Sequence, residues 1–278
     1  MNRLTVIEEI QNIAHDDSSF ERLEGFVNHN TNTHNIGAQL LHCGVIPEQF
    51  TPSSSEEKLW AKYCDILLSF AFNLLGMQAN VIRVRGNSAD VHGEAEDYTI
   101  VADAKAFRLS RTAKNQKDFK INALNDWRRK DTFACLVAPL YQYPKRTSQI
   151  YKQAKQRNVT VLGYVHLKFL LDFSPATSLK SLWEVPKTLP INNEAFVYWS
   201  AIEAMLLTIT GKAETVLDNY KSNSLQIIQE LGDEGLTYWH GVIKTYHQLS
   251  QEEAINRLIQ AEKIDQKITT IQAIMRIQ

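Results

Sequence analysis

The chain has 278 residues, with 30 Lys and Arg against 31 Asp and Glu, 22% charged and 44% hydrophobic residues. That composition suits a folded globular protein and excludes a low-complexity or largely disordered chain. Three separated cysteines, Cys43, Cys64 and Cys135, exclude a disulfide framework or CxxC zinc site, and no run has the apolar length of a membrane span; a cytoplasmic protein is expected.

Residues 3 to 42 carry helical apolar spacing (Leu4, Ile7, Ile10, Ile13, then Phe20, Leu23, Phe26), broken by a polar stretch at 28 to 35. Ser54 and Glu57 stand at capping-box spacing before Leu59, Trp60, Tyr63, Ile66, Leu67, Phe70 and Leu74, which predicts one long amphipathic helix ending near Gly76. Residues 80 to 85 and 89 to 92 read as short strands joined by a turn at Gly86-Asn87-Ser88, and 98 to 107 as a buried strand. A helix over 117 to 129, a strand over 133 to 138, a helix over 148 to 157 and a strand over 159 to 163 follow, with an apolar segment at 167 to 173. This alternation predicts an α/β fold, a mixed central sheet flanked by helices. From Asn193 the pattern is helical, with a second capping box at Ser250 and Glu253. The expected division is residues 1–188 as core and 189–278 as a helical C-terminal region, either separate or part of the same domain.

Chemistry concentrates on the strand at 98 to 107. Side chains alternate along a strand, so Asp103 and Lys105 project to one side, with Ala104 on the other. Asp90 follows a turn on the neighbouring strand, within reach across the sheet. Two carboxylates and a lysine suit phosphodiester hydrolysis: Asp90 and Asp103 as ligands for Mg2+, which favours hard oxygen, and Lys105 to orient water and stabilise developing charge. The alternative is an internal Asp103–Lys105 ion pair, since D-x-K alone is a weak motif. An apolar strand is nevertheless an expensive place for such charges without a task or a partner.

Lys105, Arg108, Arg111, Lys114, Lys117 and Lys120 put six basic residues into 16, with Asp118 as the single acid, an electrostatic footprint for phosphate. Ser110, Thr112, Asn115 and Gln116 are interspersed and are residue types that contact bases or phosphates. The alternative for this run is a solvated charged loop. Glu57 is explained by capping, with a supporting catalytic role as the other reading. His92 and His166 stand without a partner at ligand spacing, and Trp60, Trp127 and Trp183 fall on core patterns.

The run Val101-Ala-Asp-Ala-Lys-Ala-Phe-Arg-Leu-Ser-Arg-Thr-Ala-Lys-Asn-Gln-Lys-Asp-Phe-Lys120, with Ser53-Ser-Ser-Glu-Glu-Lys-Leu59, Arg85-Gly-Asn-Ser-Ala-Asp-Val91 and Gln142-Tyr-Pro144, resembles the HindIII-type type II restriction endonucleases of the PD-(D/E)xK nuclease superfamily. The likeness runs in order from about residue 40 to 170 and fades in the C-terminal helices. It implies a restriction-endonuclease-like fold and a homodimer that cuts double-stranded DNA at AAGCTT to leave 5′ overhangs, with Mg2+ or Mn2+. It assigns Asp90 and Asp103 as the acids, Lys105 as the lysine and Glu57 as a helix glutamate. Arg85, Asn87, Arg108, Ser110, Arg111, Lys114, Asn115, Lys117 and Lys120 become the expected DNA contacts. Ala89 departs from the superfamily's proline, which supplies no ligand. A repair or structure-specific nuclease of the same superfamily and a non-cleaving DNA-binding protein remain the competing readings.

Overall fold

The entry segment folds as three helices, α1 (Arg3–Ile13), α2 (Ser19–Asn30) and α3 (Ile36–Cys43), whose breaks fall at polar residues. The computed structural model describes residues 1–83, 88–111, 116–175 and 178–275. The capped helix is α4 (Ser55–Leu74), with Ser54 Oγ accepting from Glu57 N at 3.2 Å. Glu57 Oε2 in turn accepts from Ser53 N at 2.5 Å, one residue further back than a capping box requires. Gly76, at φ 88°, takes the chain out of the helix through the left-handed region, where glycine has no Cβ penalty.

The apolar stripe of α4, from Leu59 through Trp60, Cys64, Leu67 and Leu68 to Phe72, is buried. Each large side chain removed from water in this way contributes roughly 1.5–3 kcal/mol. Trp60 also donates from Nε1 to the Cys43 carbonyl at 2.7 Å, which ties α4 to the end of α3.

The strands are β1 (Gln78–Val81), β2 (Val91–Glu94) and β3 (Thr99–Ala104), then, after α5 (Gln116–Phe119) and α6 (Ile121–Arg128), β4 (Phe133–Ala138), and after α7 (Gln149–Arg157), β5 (Val159–Gly163). Among the described residues they form one five-stranded sheet in chain order. β1 to β3 pair antiparallel and β3 to β5 parallel, so the sheet is mixed, as the alternation of elements predicts. All residues of β4 and β5 are buried, which is why they read as unbroken apolar runs.

Two expectations shift. β1 and β2 lie at 78–81 and 91–94, not at 80–85 and 89–92. The single helix expected over 117 to 129 breaks at Lys120, which adopts φ 48° and ψ 35°. Phe119 and Ile121 are both buried, yet two residues apart on one helix would face away from each other; the left-handed residue between them turns both inward.

The remaining helices are α8 (Tyr164–Phe173), α9 (Lys180–Thr188), α10 (Ala195–Thr210), α11 (Glu214–His247), α12 (Gln251–Ala261) and α13 (Ile264–Met275). Contacts divide the chain into Met1–Gly232, which holds the sheet, and Asp233–Gln278, a helical unit in which α12 packs on α13. Ser250 and Glu253 form the expected capping box of α12. None of the described helices is long and apolar enough to cross a membrane.

Candidate active site

Asp103 lies near the C-terminal end of β3, in register with Leu136, and is fully buried. β3 ends at Ala104, but Lys105 N still donates to Val137 O at 2.8 Å, so strand alternation continues one residue further. Lys105 Nζ accordingly reaches 2.6 Å from Asp103 Oδ1 and 2.5 Å from Oδ2. The ion pair considered as the alternative to a catalytic site is therefore present.

It does not stand alone. Asp90 precedes β2, with its N donating to Ala102 O at 3.2 Å and its carbonyl accepting from Ile82 N at 2.8 Å, so its backbone is pinned between β3 and the end of β1. From α4, Asp65 enters the same space. Carboxylate oxygens of Asp65, Asp90 and Asp103 all lie within 4.8 Å of one another. Lys62, one turn before Asp65, donates to Asp65 Oδ2 at 3.0 Å and to Asp90 Oδ1 at 2.6 Å.

Two oxygens in this cluster are buried without a hydrogen bond: Asp65 Oδ1, and Asp103 Oδ2, which Lys105 meets as an ion pair but outside hydrogen-bond geometry. Buried polar atoms are normally satisfied, so these mark where a ligand would be welcome. Burial, reinforced by the Asp90 charge, holds the Asp65 carboxyl well above the usual carboxylate range. Burial raises Asp103 as well, against the opposing pull of Lys105. For Lys105, burial alone would lower the pKa, but the Asp103 carboxylate outweighs it and the net shift is upward. Mutual shifts of this kind in a packed set of charges are frequent at functional sites and also occur in structural ion-pair networks.

The backbone beneath the lysine is held too. Tyr164 OH, at the start of α8, donates to Lys105 O at 3.1 Å. Three hard oxygen donors beside an ammonium make a group that can hold a divalent cation and present a positive charge to a phosphate.

A family model for the HindIII restriction endonuclease matches residues 5–275. The type II restriction enzyme HindIII of Haemophilus influenzae is 35% identical over 243 residues, covering 84% of this chain and 81% of that one. The chain belongs to the HindIII restriction endonuclease family. It is thereby a type II restriction endonuclease, and the match reaches well beyond residues 40 to 170, where the recognisable motifs lie.

Against the residues expected from sequence, the HindIII-type fold brings Asp90, Asp103 and Lys105 together and leaves Glu57 outside their cluster. Glu57 Oε1 accepts from Arg108 Nε at 3.1 Å and Nη2 at 2.9 Å. Arg108, expected at DNA, is buried, and its Nη1 donates to Pro47 O at 3.1 Å. Ser110 donates from N and Oγ to Glu48. Arg111 is exposed, 3.4 Å from Asp118, and Lys120 is exposed with its ammonium over Trp127. Arg85, Asn87, Lys114 and Asn115 lie outside the described residues, as does the side chain of Lys117.

Sequence reading missed Asp65 and Lys62. The signal was available: Asp65 is an acid between Cys64 and Ile66 on the apolar side of α4, where a charge needs a reason.

Proposed function

We propose that this enzyme uses Mg2+ to hydrolyse phosphodiester bonds of double-stranded DNA at the palindrome AAGCTT, leaving 5′ overhangs, with Asp90, Asp103 and Lys105 as its catalytic residues. The observation that carries the reading is the convergence of carboxylates from α4, β3 and the residue before β2, with two buried oxygens lacking hydrogen bonds, beside Lys105. That donor set fits magnesium: hard oxygens and few protein ligands. Asp90 and Asp103 would hold the ion. When bound, it supplies Lewis-acid polarisation of the scissile phosphate and makes a coordinated water more acidic.

The chain's own residues do the remainder. Lys105, with its ammonium fixed by Asp103 and its carbonyl by Tyr164, orients the attacking water and stabilises charge developing on the phosphate. Its pKa, raised by Asp103, keeps it charged at any working pH. Arg111, Lys120 and the segments around residues 85–87 and 114–117 contact the DNA. Arg108 and Glu57 act away from the DNA, by holding the segment after β3 against the first turn of α4. A palindrome is read by two-fold symmetric proteins, so the working form is a homodimer with one site per strand, acting in the cytoplasm.

Digestion of a plasmid of known sequence tests this reading. Fragments ending at AAGCTT, formed with Mg2+ or Mn2+ and abolished by chelation, support it. Cleavage at structural junctions or without sequence preference would place the enzyme's substrate elsewhere.

A further inference from the structure

The second lysine of the site has no place in the chemistry above, and its position is specific. Lys62 Nζ lies between two carboxylates, 3.0 Å from Asp65 Oδ2 and 2.6 Å from Asp90 Oδ1, while Lys105 serves Asp103. Asp65, with its side chain only 3% exposed, anchors Lys62 from the helix they share.

Lys62 adds one positive charge to the carboxylate cluster, beside the ammonium of Lys105. A divalent cation arriving alone enters against both ammonium groups. A divalent cation arriving with one phosphodiester, itself singly negative, is opposed less. Without Lys62 the cluster is more negative by one charge and attracts the cation unaided. At these separations one charge more or less is a large term.

We propose that Lys62 couples divalent-cation binding to DNA binding: it weakens cation uptake by the free enzyme and lets the site fill together with the scissile phosphate. Lys62 is thus a positioning residue, acting on the cation through Asp90 and held in place by Asp65. This inference rests on the metal-site reading given above.

The test is calorimetric titration of Ca2+ into the full chain, with and without a duplex carrying AAGCTT. In the wild type the duplex tightens Ca2+ binding. Lys62→Gln binds Ca2+ without DNA at least about tenfold more tightly than wild type, and the duplex then adds less. Lys62→Arg keeps the wild-type pattern. Should Lys62→Gln fold poorly, Lys62→Met, which retains the aliphatic stem, makes the same comparison. Unchanged or weaker Ca2+ affinity on losing the lysine charge overturns the proposal. Asp103→Asn separates the two levels: loss of Ca2+ binding there, with no effect at Lys62, removes only the role of Lys62, whereas unchanged binding in Asp103→Asn removes the metal site itself.

Discussion

Arg108 and Glu57, 51 residues apart, form a two-pronged ion pair in which Nε and Nη2 both reach Oε1, with the guanidinium side chain 8% exposed. The pair joins the segment after β3, which carries the basic run, to the N-terminus of α4, which carries Lys62 and Asp65. It is a structural clamp built from two residues whose sequence context suggests function.

Removing one partner leaves the other poorly satisfied. Arg108→Met is expected to destabilise the fold by about 2 kcal/mol, less than for a fully buried pair because the Glu57 side chain is 25% exposed. Urea unfolding of Arg108→Met, Glu57→Gln and the double variant checks this, and the double variant should lose less than the two singles combined. Strict additivity would mean that the two side chains do not work as a pair.

Tyr164 links the core to the lysine. Tyr164→Phe removes the hydrogen bond to Lys105 O and is expected to lower stability by about 1 kcal/mol while reducing cleavage more than DNA affinity. Gly44→Ala approaches the same point from behind: a Cβ there would lie 2.6 Å from Pro139 Cγ and 2.9 Å from Tyr164 Cε2. It should destabilise by about 1–3 kcal/mol and depress cleavage together with Tyr164→Phe. Melting temperatures beside kcat separate these effects; normal kcat in both variants would uncouple Tyr164 from Lys105.

A buried histidine sets a pH dependence on stability. His166 is fully buried in α8, with Nδ1 accepting from Gly163 N at 3.1 Å, and burial, aided by Lys221, pushes its pKa down to about 3 from 6.5. The unfolded chain therefore binds this proton more readily than the folded one between those values. Stability from His166 is complete above about pH 6.5 and declines as pH falls toward 3, by about 1.4 kcal/mol per unit. His166→Gln should flatten the stability profile over that window. An unchanged acid slope in the variant would show that His166 does not titrate on unfolding as described.

The basic run makes a prediction of another kind. Arg111→Ala, Lys114→Ala and Lys117→Ala should each weaken duplex binding and reduce the salt slope of log K by about one. Arg108→Met should leave that slope unchanged, since its guanidinium is buried against Glu57 and Pro47. Fluorescence anisotropy across a salt series distinguishes them. A slope lost at Arg108 and kept at Arg111 would reverse the assignment.

Much of this was legible in the sequence for physical reasons. Ser54 and Glu57 announce α4 because orphan N–H groups need a cap, and Phe133 to Ala138 announces a strand buried on both faces. Asp103 and Lys105 stand out because charge interrupts an apolar strand. What stayed hidden depends on long-range contacts. Spacing says nothing of Arg108 turning back to Glu57, so the ion pair between them is not legible in it. Asp65 shows in the sequence only as a charge on the apolar side of α4; that it and Lys62 meet Asp90 and Asp103 depends on β3 and the segment before β2 packing beside them. The left-handed turn at Lys120 answers to packing of Phe119 and Ile121, which no local propensity encodes.

The central claim is that Asp103 and its neighbours form a cation-dependent site for DNA cleavage. The most direct measurement compares wild type with Asp103→Asn on a plasmid bearing one AAGCTT site, in Mg2+ and in chelator, with duplex binding followed in Ca2+. The account predicts linearisation by wild type in Mg2+ alone, and no cleavage by Asp103→Asn although it still binds the duplex. Cleavage by Asp103→Asn at the wild-type rate, or by wild type in the presence of chelator, would contradict it.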